Sequence, residues 1–479
     1  MSTTELVALV CCDLGAIVRG RSLLASELDS HIDAGVGWVP ANHALTPLGP
    51  LAEPNPFGSI GDLRLLPDTD TRARVAADPA SPGATPLELV LCDIVQTDGL
   101  PWECCPRRFL RDALAELQEE LDLQLVASFE HEFQLLPESA ARPGSDEGPP
   151  PSSLSPLSPL PLSSPPPPLP TPPPRLRSYP PPPFSLEALR RVEPFAGEAM
   201  AALAEAGVQP ERVFAEFAAH QFEIPTAPAL GVAAADRSVV LMQVVREIAR
   251  RRGLRATFTP LLDPSEAGNG VHIHLNLLDS SGRSALYDAT RSACLSELGE
   301  RFAAGVLLHA RALSALTAPS PVSGMRLAPH HWSAGAACLG QRNRECLLRL
   351  PPLVALGGAD PARQLHLEYR GADASANPYL ALGTIVRAGL DGVRAGLPAP
   401  PILDRDPAQL DPGEAERYGV GTLPGSLDEA LRALAADGVA RAWLGPLLYE
   451  AYVAVKRYEI EATAELEIEQ LCRRYAYVY

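Results

Sequence analysis

The segment Leu125-Val-Ala-Ser-Phe-Glu-His-Glu-Phe-Gln-Leu-Leu136 has the alternating pattern of a β-strand and carries two glutamates. Successive side chains of a strand point to opposite faces, so Glu130 and Glu132 share one face. Phe129 and Phe133 point to the other face. Neighbouring carboxylates repel each other unless a cation lies between them. Taken alone, the pair fits either a polar stripe that faces solvent or part of a metal site.

Three further segments also place acids and histidines on one face of a predicted strand. In residues 213–224 the two glutamates lie seven positions apart, and a bulge or short loop near residues 218–220 would return them to a common face. In residues 268–277 a glycine-rich turn, which lets the backbone approach a ligand, precedes the strand. The side chains concerned are Glu216 and Glu223 in the first segment, His272, His274 and Asn276 in the second, and His366, Glu368 and Arg370 in the third.

Together the four segments supply five glutamates and at least one histidine, a donor set that suits a hard divalent cation. Oxygen donors dominate and thiolates are absent from these segments, so Mg²⁺ or Mn²⁺ fits better than structural zinc. Several arginines follow nearby, and arginine binds phosphate in a bidentate manner. Divalent metals beside arginines favour phosphoryl transfer from a nucleotide. An ordinary set of polar strand residues is the alternative interpretation.

The composition excludes several other classes of protein. The chain has 479 residues and a formal net charge of −18, which disfavours nucleic acid or an anionic membrane as the main partner. Its single lysine, Lys456, stands in Val-Lys-Arg, so the chain has no Walker A phosphate loop. The absence of a long apolar run predicts no transmembrane helix, and the acidic start of the chain argues against a signal peptide.

Cysteine usage predicts a reduced, cytoplasmic protein. The nine cysteines are odd in number and form no Cys-x-x-Cys spacing, so neither a disulfide scaffold nor a zinc or thioredoxin-type motif is expected.

The sequence divides near residue 105. Residues 1–105 mix short β-like runs with turns, and Pro106 opens an amphipathic helix that begins a larger unit, residues 106–479. A proline-rich insertion at about 138–183 interrupts that unit, since 18 of the 35 residues from 149 to 183 are proline. We expect a solvated, disordered spacer there. Helices are predicted over residues 186–206 and 234–252 and along the tail from residue 426.

The chain resembles the glutamine synthetase family along nearly its whole length, apart from the insertion. The resemblance implies an α+β fold, with an N-terminal β-grasp-like domain and a larger catalytic α/β domain that carries an antiparallel active-site sheet. The motifs that carry it are Gly61-Asp-Leu-Arg-Leu-Leu-Pro-Asp68, Cys92-Asp-Ile-Val-Gln-Thr-Asp-Gly99, Phe129-Glu-His-Glu-Phe133, Gly268-Asn-Gly-Val-His-Ile-His274, Asn343-Arg-Glu-Cys-Leu-Leu-Arg349 and Glu368-Tyr-Arg-Gly-Ala-Asp-Ala-Ser-Ala-Asn-Pro-Tyr-Leu380.

The resemblance also implies a ligase that uses ATP and two or more Mg²⁺ or Mn²⁺ ions per subunit. Glutamate would attack ATP to give γ-glutamyl phosphate, and ammonia or an amine would then displace phosphate, a step of nitrogen metabolism that is glutamine biosynthesis when ammonia is the acceptor. One metal site would use Glu132, Glu216 and Glu223, and the other Glu130, His272 and Glu368.

The remaining roles follow from the same motifs. The expected catalytic arginines are Arg326, Arg344 and Arg370. Glutamate and phosphate would contact Gly268, Arg326 and Arg370. The nucleotide side would comprise Glu211, His274, Asn276, Arg344, Arg349 and Arg363.

Two departures from the family pattern concern the acceptor. The family's flap glutamate is replaced by Trp332, and the N-terminal Asp-Gly-Ser segment is replaced by Gly37-Trp-Val-Pro-Ala-Asn42. Losing both anionic groups removes the electrostatic reason for ammonium to bind, and Trp332 would offer an aromatic face to a larger amine. We therefore expect an amine ligase of the branch that resembles fungal sporulation proteins and γ-glutamyl-amine ligases. A true glutamine synthetase and a catalytically silent paralogue with an assembly role remain alternatives.

The family pattern further implies a homo-oligomeric ring of ten or twelve subunits. The active site would lie between neighbouring subunits, with residues 37–68 donated across the interface.

Overall fold

A computed structural model describes residues 5–81, 83–138, 181–329, 331 and 333–479. The proline-rich insertion predicted at 138–183 therefore lies largely outside the described residues. Within the described ranges, no helix combines the length and apolar character that crossing a bilayer requires.

Six strands of the described chain form the N-terminal sheet, in the order β2-β1-β6-β4-β3, with β5 also paired to β6. β1 and β2 form an antiparallel hairpin, whereas β1 and β6 run parallel. These strands are β1 (Leu6–Cys12), β2 (Val18–Leu24), β3 (Val36–Trp38), β4 (Leu63–Pro67), β5 (Ala73–Val75) and β6 (Leu87–Gln96).

Ten described strands form the second sheet, in the order β16-β13-β14-β15-β12-β7-β9-β8, and β10 and β11 also pair with β7. The strands from β14 to β8 are antiparallel, as predicted for the active-site sheet, but the edge pairs β13–β14 and β13–β16 are parallel. The strands are β7 (Gln124–Pro137), β8 (Phe214–Ala215), β9 (Gln221–Pro225), β10 (Ala229–Leu230), β11 (Leu254–Thr257), β12 (Val271–Leu278), β13 (Ala336–Gln341), β14 (Cys346–Leu350), β15 (Leu367–Ala372) and β16 (Ile402–Leu403).

Helices pack on the second sheet and bury its apolar face. Phe129 and Phe133 of β7 lie in the core with α4, as their alternation predicts. The described helices are α1 (Pro106–Leu121), α2 (Leu186–Arg190), α3 (Phe195–Glu205), α4 (Val232–Arg251), α5 (Glu297–Leu308), α6 (Ala310–Thr317), α7 (Ser323–Arg326), α8 (Pro361–Gln364), α9 (Pro378–Arg394), α10 (Pro412–Arg417), α11 (Leu427–Ala436), α12 (Gly438–Thr463) and α13 (Ile468–Val478).

The prediction of one continuous helix over residues 186–206 was wrong. Residues 186–206 form two helices, α2 and α3, because Pro194 stands between them at the N-cap of α3. Proline cannot continue a helix, since it lacks an N–H group and its ring clashes with the preceding turn. The helix predicted at 234–252 is α4, and the tail from residue 426 is helical as predicted.

Candidate active site

Acids and histidines lie opposite one another across the neighbouring strands β9, β7, β12 and β15. Across β7 and β12, Glu130 pairs with His272, and across β7 and β9, Glu132 pairs with Glu223. Across β12 and β15, His274 pairs with Glu368. Cross-strand partners on one face lie within contact distance, so the antiparallel register itself assembles the cluster.

The turn predicted near residues 218–220 is present and brings Glu216 and Glu223 to the same cavity. β8 ends at Ala215, β9 begins at Gln221, and His220 between them has a left-handed backbone (φ 57°). The turn is closed by the Ala218 N–H, which donates to Gln221 Oε1 at 2.8 Å.

Burial and mutual repulsion keep two of these carboxyl groups protonated. Burial and the charge of Glu132 raise the pKa of Glu216 to about 8. Burial and the charges of Glu130 and Glu132 raise the pKa of Glu223 to about 10. These carboxyl groups cannot all ionise together at neutral pH because their charges repel one another. A bound divalent cation would remove that repulsion.

Glu130 has the opposite behaviour because two histidines face it. Its Oε2 lies 3.4 Å from His272 Nδ1 and 3.2 Å from His274 Nε2. Although burial opposes ionisation, the contacts with these two histidines hold the pKa of Glu130 well below its usual value.

Glu368 is held between two arginines. Arg349 Nη1 lies 2.5 Å from Glu368 Oε2, and Arg370 Nη1 contacts the other carboxylate oxygen. Burial opposes ionisation, but the charges of Arg370 and His274 lower the pKa of Glu368 to about 2. Arg349, predicted on the nucleotide side, is thus an ion-pair partner of a predicted metal ligand.

A chain of hydrogen bonds orients His274. His366 Nδ1 lies 2.6 Å from the backbone carbonyl of Gln364, which can only accept, so Nδ1 carries a proton. Burial, followed by the charge of His274, lowers the pKa of His366, so its ring is neutral and Nε2 accepts from His274 Nδ1 at 2.9 Å. Nε2 of His274 is therefore the nitrogen that faces Glu130.

The glycine-rich turn before β12 is pressed against Arg326, which is 2% exposed. A Cβ on Gly268 would lie 2.3 Å from the Pro260 carbonyl oxygen and 2.7 Å from Arg326 Cγ. Gly270 donates its N–H to Glu132 Oε2 at 2.7 Å. Arg326 Nη2 donates to the Ala372 carbonyl at 2.6 Å. Only glycine lets the turn, the arginine and the metal-ligand candidate approach this closely.

A cavity of about 690 Å³ collects most of the predicted site residues. Its lining includes all six predicted metal ligands, Glu130, Glu132, Glu216, Glu223, His272 and Glu368, together with Gly268, His274, Arg326, Arg344, Arg349 and Arg370. The described flap residues His331 and Ser333 also line it, whereas Trp332 lies outside the described residues.

The other predicted nucleotide-side residues line a second, adjoining cavity of about 270 Å³. Glu211, Asn276 and Arg363 lie there and not on the first cavity. Glu130, His274 and His366 line both. The two cavities therefore meet at His274, next to the acidic cluster.

Ligand atoms of the described residues group in two sets that would suit a metal ion. Donor atoms of Glu130, Glu223 and His272 lie within 4.8 Å of one another, as do those of Glu130, His274 and Glu368. This grouping differs from the partition that the family resemblance implied, in which His272 and Glu368 shared a site. The reason is the register, since His274 rather than His272 lies opposite Glu368. The oxygen-rich donors fit Mg²⁺ or Mn²⁺.

Four residues of the site received no role from the sequence. Gln221 Nε2 donates to Glu132 Oε2 at 3.3 Å and to the Gly268 carbonyl at 2.9 Å, and so ties the turn to the cluster. For His366 the sequence indicated only that it shares a strand face with Glu368. Phe184 and Phe217 line the first cavity. Phe184 directly follows the proline-rich segment, and an aromatic residue in that position does not by itself indicate a site.

Known proteins match the whole chain. Residues 1–102 match the glutamine synthetase N-terminal domain and residues 103–475 match "Glutamine synthetase, catalytic domain". The chain is 33% identical over 476 residues to the gamma-glutamylpolyamine synthetase of Streptomyces coelicolor, which covers 99% of this chain and 93% of that protein.

Two solved structures are similar as well. A crystal structure described as a novel glutamine synthase homolog has a TM-score of 0.85 at 41% identity, covering 100% of this chain and 99% of that one. A GmaS/ADP complex has a TM-score of 0.76 at 25% identity, covering 97% and 95%. The predicted fold class and the predicted family are confirmed by these matches.

Proposed function

We propose a reaction for this chain on the premise that it belongs to the glutamine synthetase family, whose relatives here are ligases that form C–N bonds. We infer that it joins the γ-carboxyl group of glutamate to an organic amine at the expense of ATP. The observation that carries the proposal is the cluster of glutamates and histidines between a glycine turn, five arginines and an adjoining second cavity.

The reaction has two steps. In the first, a γ-carboxylate oxygen of glutamate attacks the γ-phosphorus of ATP, the bond to the bridging oxygen breaks, and ADP leaves. In the second, the amine nitrogen attacks the γ-carbonyl carbon, phosphate leaves, and the nitrogen loses a proton. Mg²⁺ or Mn²⁺, when bound, would neutralise phosphate charge.

The residues of the chain act by holding and orienting the reactants. Arg326 beside Gly268 would bind glutamate, and Arg344 and Arg370 would face the transferring phosphoryl group. The candidates for holding metal are the six carboxylates and histidines predicted from the motifs, with His274 as a further donor. Glu211, Asn276 and Arg363 in the second cavity would contact the nucleotide.

An organic acceptor is favoured over ammonium. Position 332 carries tryptophan where the family pattern has an acid, and the acidic N-terminal segment of the family is absent. The similar protein from Streptomyces coelicolor is named as a gamma-glutamylpolyamine synthetase, which supports the same direction.

The experiment measures phosphate release from ATP with glutamate and Mg²⁺ or Mn²⁺, comparing ammonium with a panel of amines, and identifies the amide by mass spectrometry. We expect turnover with organic amines. Turnover with ammonium alone would contradict the acceptor assignment, and no product with any acceptor would favour a silent paralogue. Glu132→Gln should lose at least about 100-fold in activity, as expected when a charge-stabilising group is lost. Glu450→Gln, on the exposed surface of α12, serves as the matched control.

A further inference from the structure

Phenylalanine is distributed unevenly between the core and one wall of the larger cavity. Seven of the eleven phenylalanines are at most 5% exposed. Of the other four, Phe184, Phe214 and Phe217 all line the 690 Å³ cavity. Phe184 and Phe217 are 54% and 38% exposed, and no other phenylalanine, tyrosine or tryptophan of the described chain is comparably open among the exposed large apolar residues.

The wall is built next to the acidic cluster. Phe214 pairs with Glu223 across β8 and β9, and Phe217 directly follows Glu216. The rings of Phe184 and Phe217 meet edge to face, with centroids 5.0 Å apart and planes at 86°. The turn that carries Phe217 is braced by the Ala219 N–H, which donates to Glu266 Oε2 at 3.2 Å. The rings are thus held in place without a ligand.

The chemistry of this juxtaposition indicates the ligand. The aromatic faces beside the acidic cluster bind either hydrocarbon or the methylene groups next to an amino group. Ammonium itself has no carbon to place on such a wall, the carboxylates of glutamate are charged, and Glu211, Asn276 and Arg363, proposed to contact the nucleotide, line the second cavity instead. An alkylamine fits this arrangement, with its amino group next to the acidic cluster and its methylene chain along the rings.

We propose that Phe184, Phe214 and Phe217 form the wall that selects the acceptor, and that the acceptor is a linear alkylamine with several methylene groups. This inference rests on the proposed function, because it assigns the acceptor of the same reaction. The wall is a specificity element, and its members bind the chain of the substrate without taking part in bond making.

The test measures kcat/KM for ammonium, methylamine, n-propylamine, n-butylamine and 1,4-diaminobutane in the wild type, in Phe217→Ala and in Phe184→Ala. In the wild type, kcat/KM should rise by up to about fourfold per methylene group, the factor that burial of one methylene supplies. In both variants this dependence on chain length should flatten, while the KM values for ATP and glutamate stay unchanged. Leu308→Ala, an apolar residue 61% exposed on α5, is the control and should keep the wild-type dependence.

Three other results would overturn the inference. An equal kcat/KM for ammonium and for the longer amines in the wild type would show that the wall does not select. Equal losses for every acceptor and for ATP would give the rings a structural role, and a changed molar mass of Phe184→Ala in light scattering would assign them to a subunit contact. The absence of any amide product with the wild type would instead be a failure of the proposed function.

Discussion

At the scale of single residues, Glu216 and Glu223 carry the clearest sign that the cluster needs a cation. Glu223 is buried and Glu216 half-buried beside Glu130 and Glu132, and both retain protons at pH values where a solvent-exposed glutamate is ionised. Protons and a divalent cation therefore compete for the same oxygens, and metal binding should release protons.

The first prediction is that metal stabilises the protein more at pH 8.5 than at pH 6.5. The pKa values of Glu216 and Glu223 are raised from 4.5 to about 8 and about 10 in the folded chain. The stability they contribute is full below pH 4.5 and is lost as the pH rises through the folded values. Metal-free protein should thus lose stability between these two pH values, and Mn²⁺ should restore it, as measured by the rise in Tm.

The control uses the metal-free double variant Glu216→Gln, Glu223→Gln. Its Tm should fall less between pH 6.5 and pH 8.5 than that of the wild type, because these two groups no longer ionise. A Mn²⁺-induced rise in Tm that is equal at both pH values would contradict the assignment.

The second prediction concerns His366, which orients His274 through a hydrogen bond of 2.9 Å. His366→Ala should weaken Mn²⁺ binding about 10–100-fold, the usual cost of losing a partner that fixes the orientation of a ligating histidine. Isothermal titration with Mn²⁺ measures the effect. Gln364→Ala keeps the backbone carbonyl that fixes the His366 tautomer and should bind Mn²⁺ like the wild type. Equal affinity in all three proteins would remove His366 from the site.

The sequence could predict the candidate ligands but not how they divide between sites. Alternation along a strand shows that Glu130 and Glu132 share a face, yet the register between strands decides which histidine meets which acid. His274 lies opposite Glu368 because of pairing between β12 and β15, which have no short connection. Gln221 was missed because an amide gives no signal until its two partners are known.

At the scale of elements, local chemistry explains the helix boundaries well. Pro106 opens α1, and Asn377 caps α9 by accepting from the N–H groups of Tyr379 and Leu380. The break between α2 and α3 follows from Pro194. The spacing of apolar residues alone does not reveal this break. The parallel edge of the second sheet could not be predicted, because it depends on how β13, β14 and β16 meet after long connections.

The third prediction is that Asn377→Ala lowers the free energy of unfolding by about 2–4 kcal/mol, which combines a lost helix cap with carbonyl groups left without a donor. Asn377 Nδ2 donates to the carbonyls of Cys12 at 3.1 Å and Asp13 at 2.9 Å, so it also joins α9 to the N-terminal sheet. Urea denaturation measures the change. Ser426→Ala removes an exposed cap of α11 and should cost only about 1 kcal/mol. Similar losses in the two variants would refute the joining role.

At the scale of the whole molecule, Arg107 joins the N-terminal sheet to α4, the helix that packs on the second sheet. It is 4% exposed, and its guanidinium lies 2.7 Å from Asp68, 3.1 Å from Asp93 and 2.9 Å from Asp236 of α4. Asp236 also accepts from the Tyr379 hydroxyl at 2.7 Å. Three acids from separate parts of the chain therefore meet at one buried cation, and Asp68 and Asp93 also contact Arg111.

The fourth prediction is that Arg107→Met destabilises the protein by about 3–5 kcal/mol, the cost of leaving the buried charge of Asp236 without its cation. Arg108→Met on the same helix removes an exposed ion pair with Asp112 and should change the stability by at most about 1 kcal/mol. Thermal and urea unfolding of the two variants provide the comparison. Equal stabilities would show that the acids around Arg107 are stabilised by other groups.

The domain boundary at residue 105, the cytoplasmic location and the ring of ten or twelve subunits remain predictions of the sequence. Light scattering of the purified protein tests the ring directly. A monomer that is active at every concentration would exclude an active site shared between subunits.

The most direct measurement of the central claim follows the oxygen atoms of glutamate. If the γ-carboxylate attacks ATP and the amine then displaces phosphate, one carboxylate oxygen must leave with the phosphate. The enzyme would be incubated with glutamate labelled with ¹⁸O at the γ-carboxylate, ATP, Mg²⁺ and n-butylamine, and both products analysed by mass spectrometry. We predict one ¹⁸O atom in the released phosphate for each γ-glutamyl amide formed. Unlabelled phosphate, or phosphate without amide, would contradict the proposed ligase reaction.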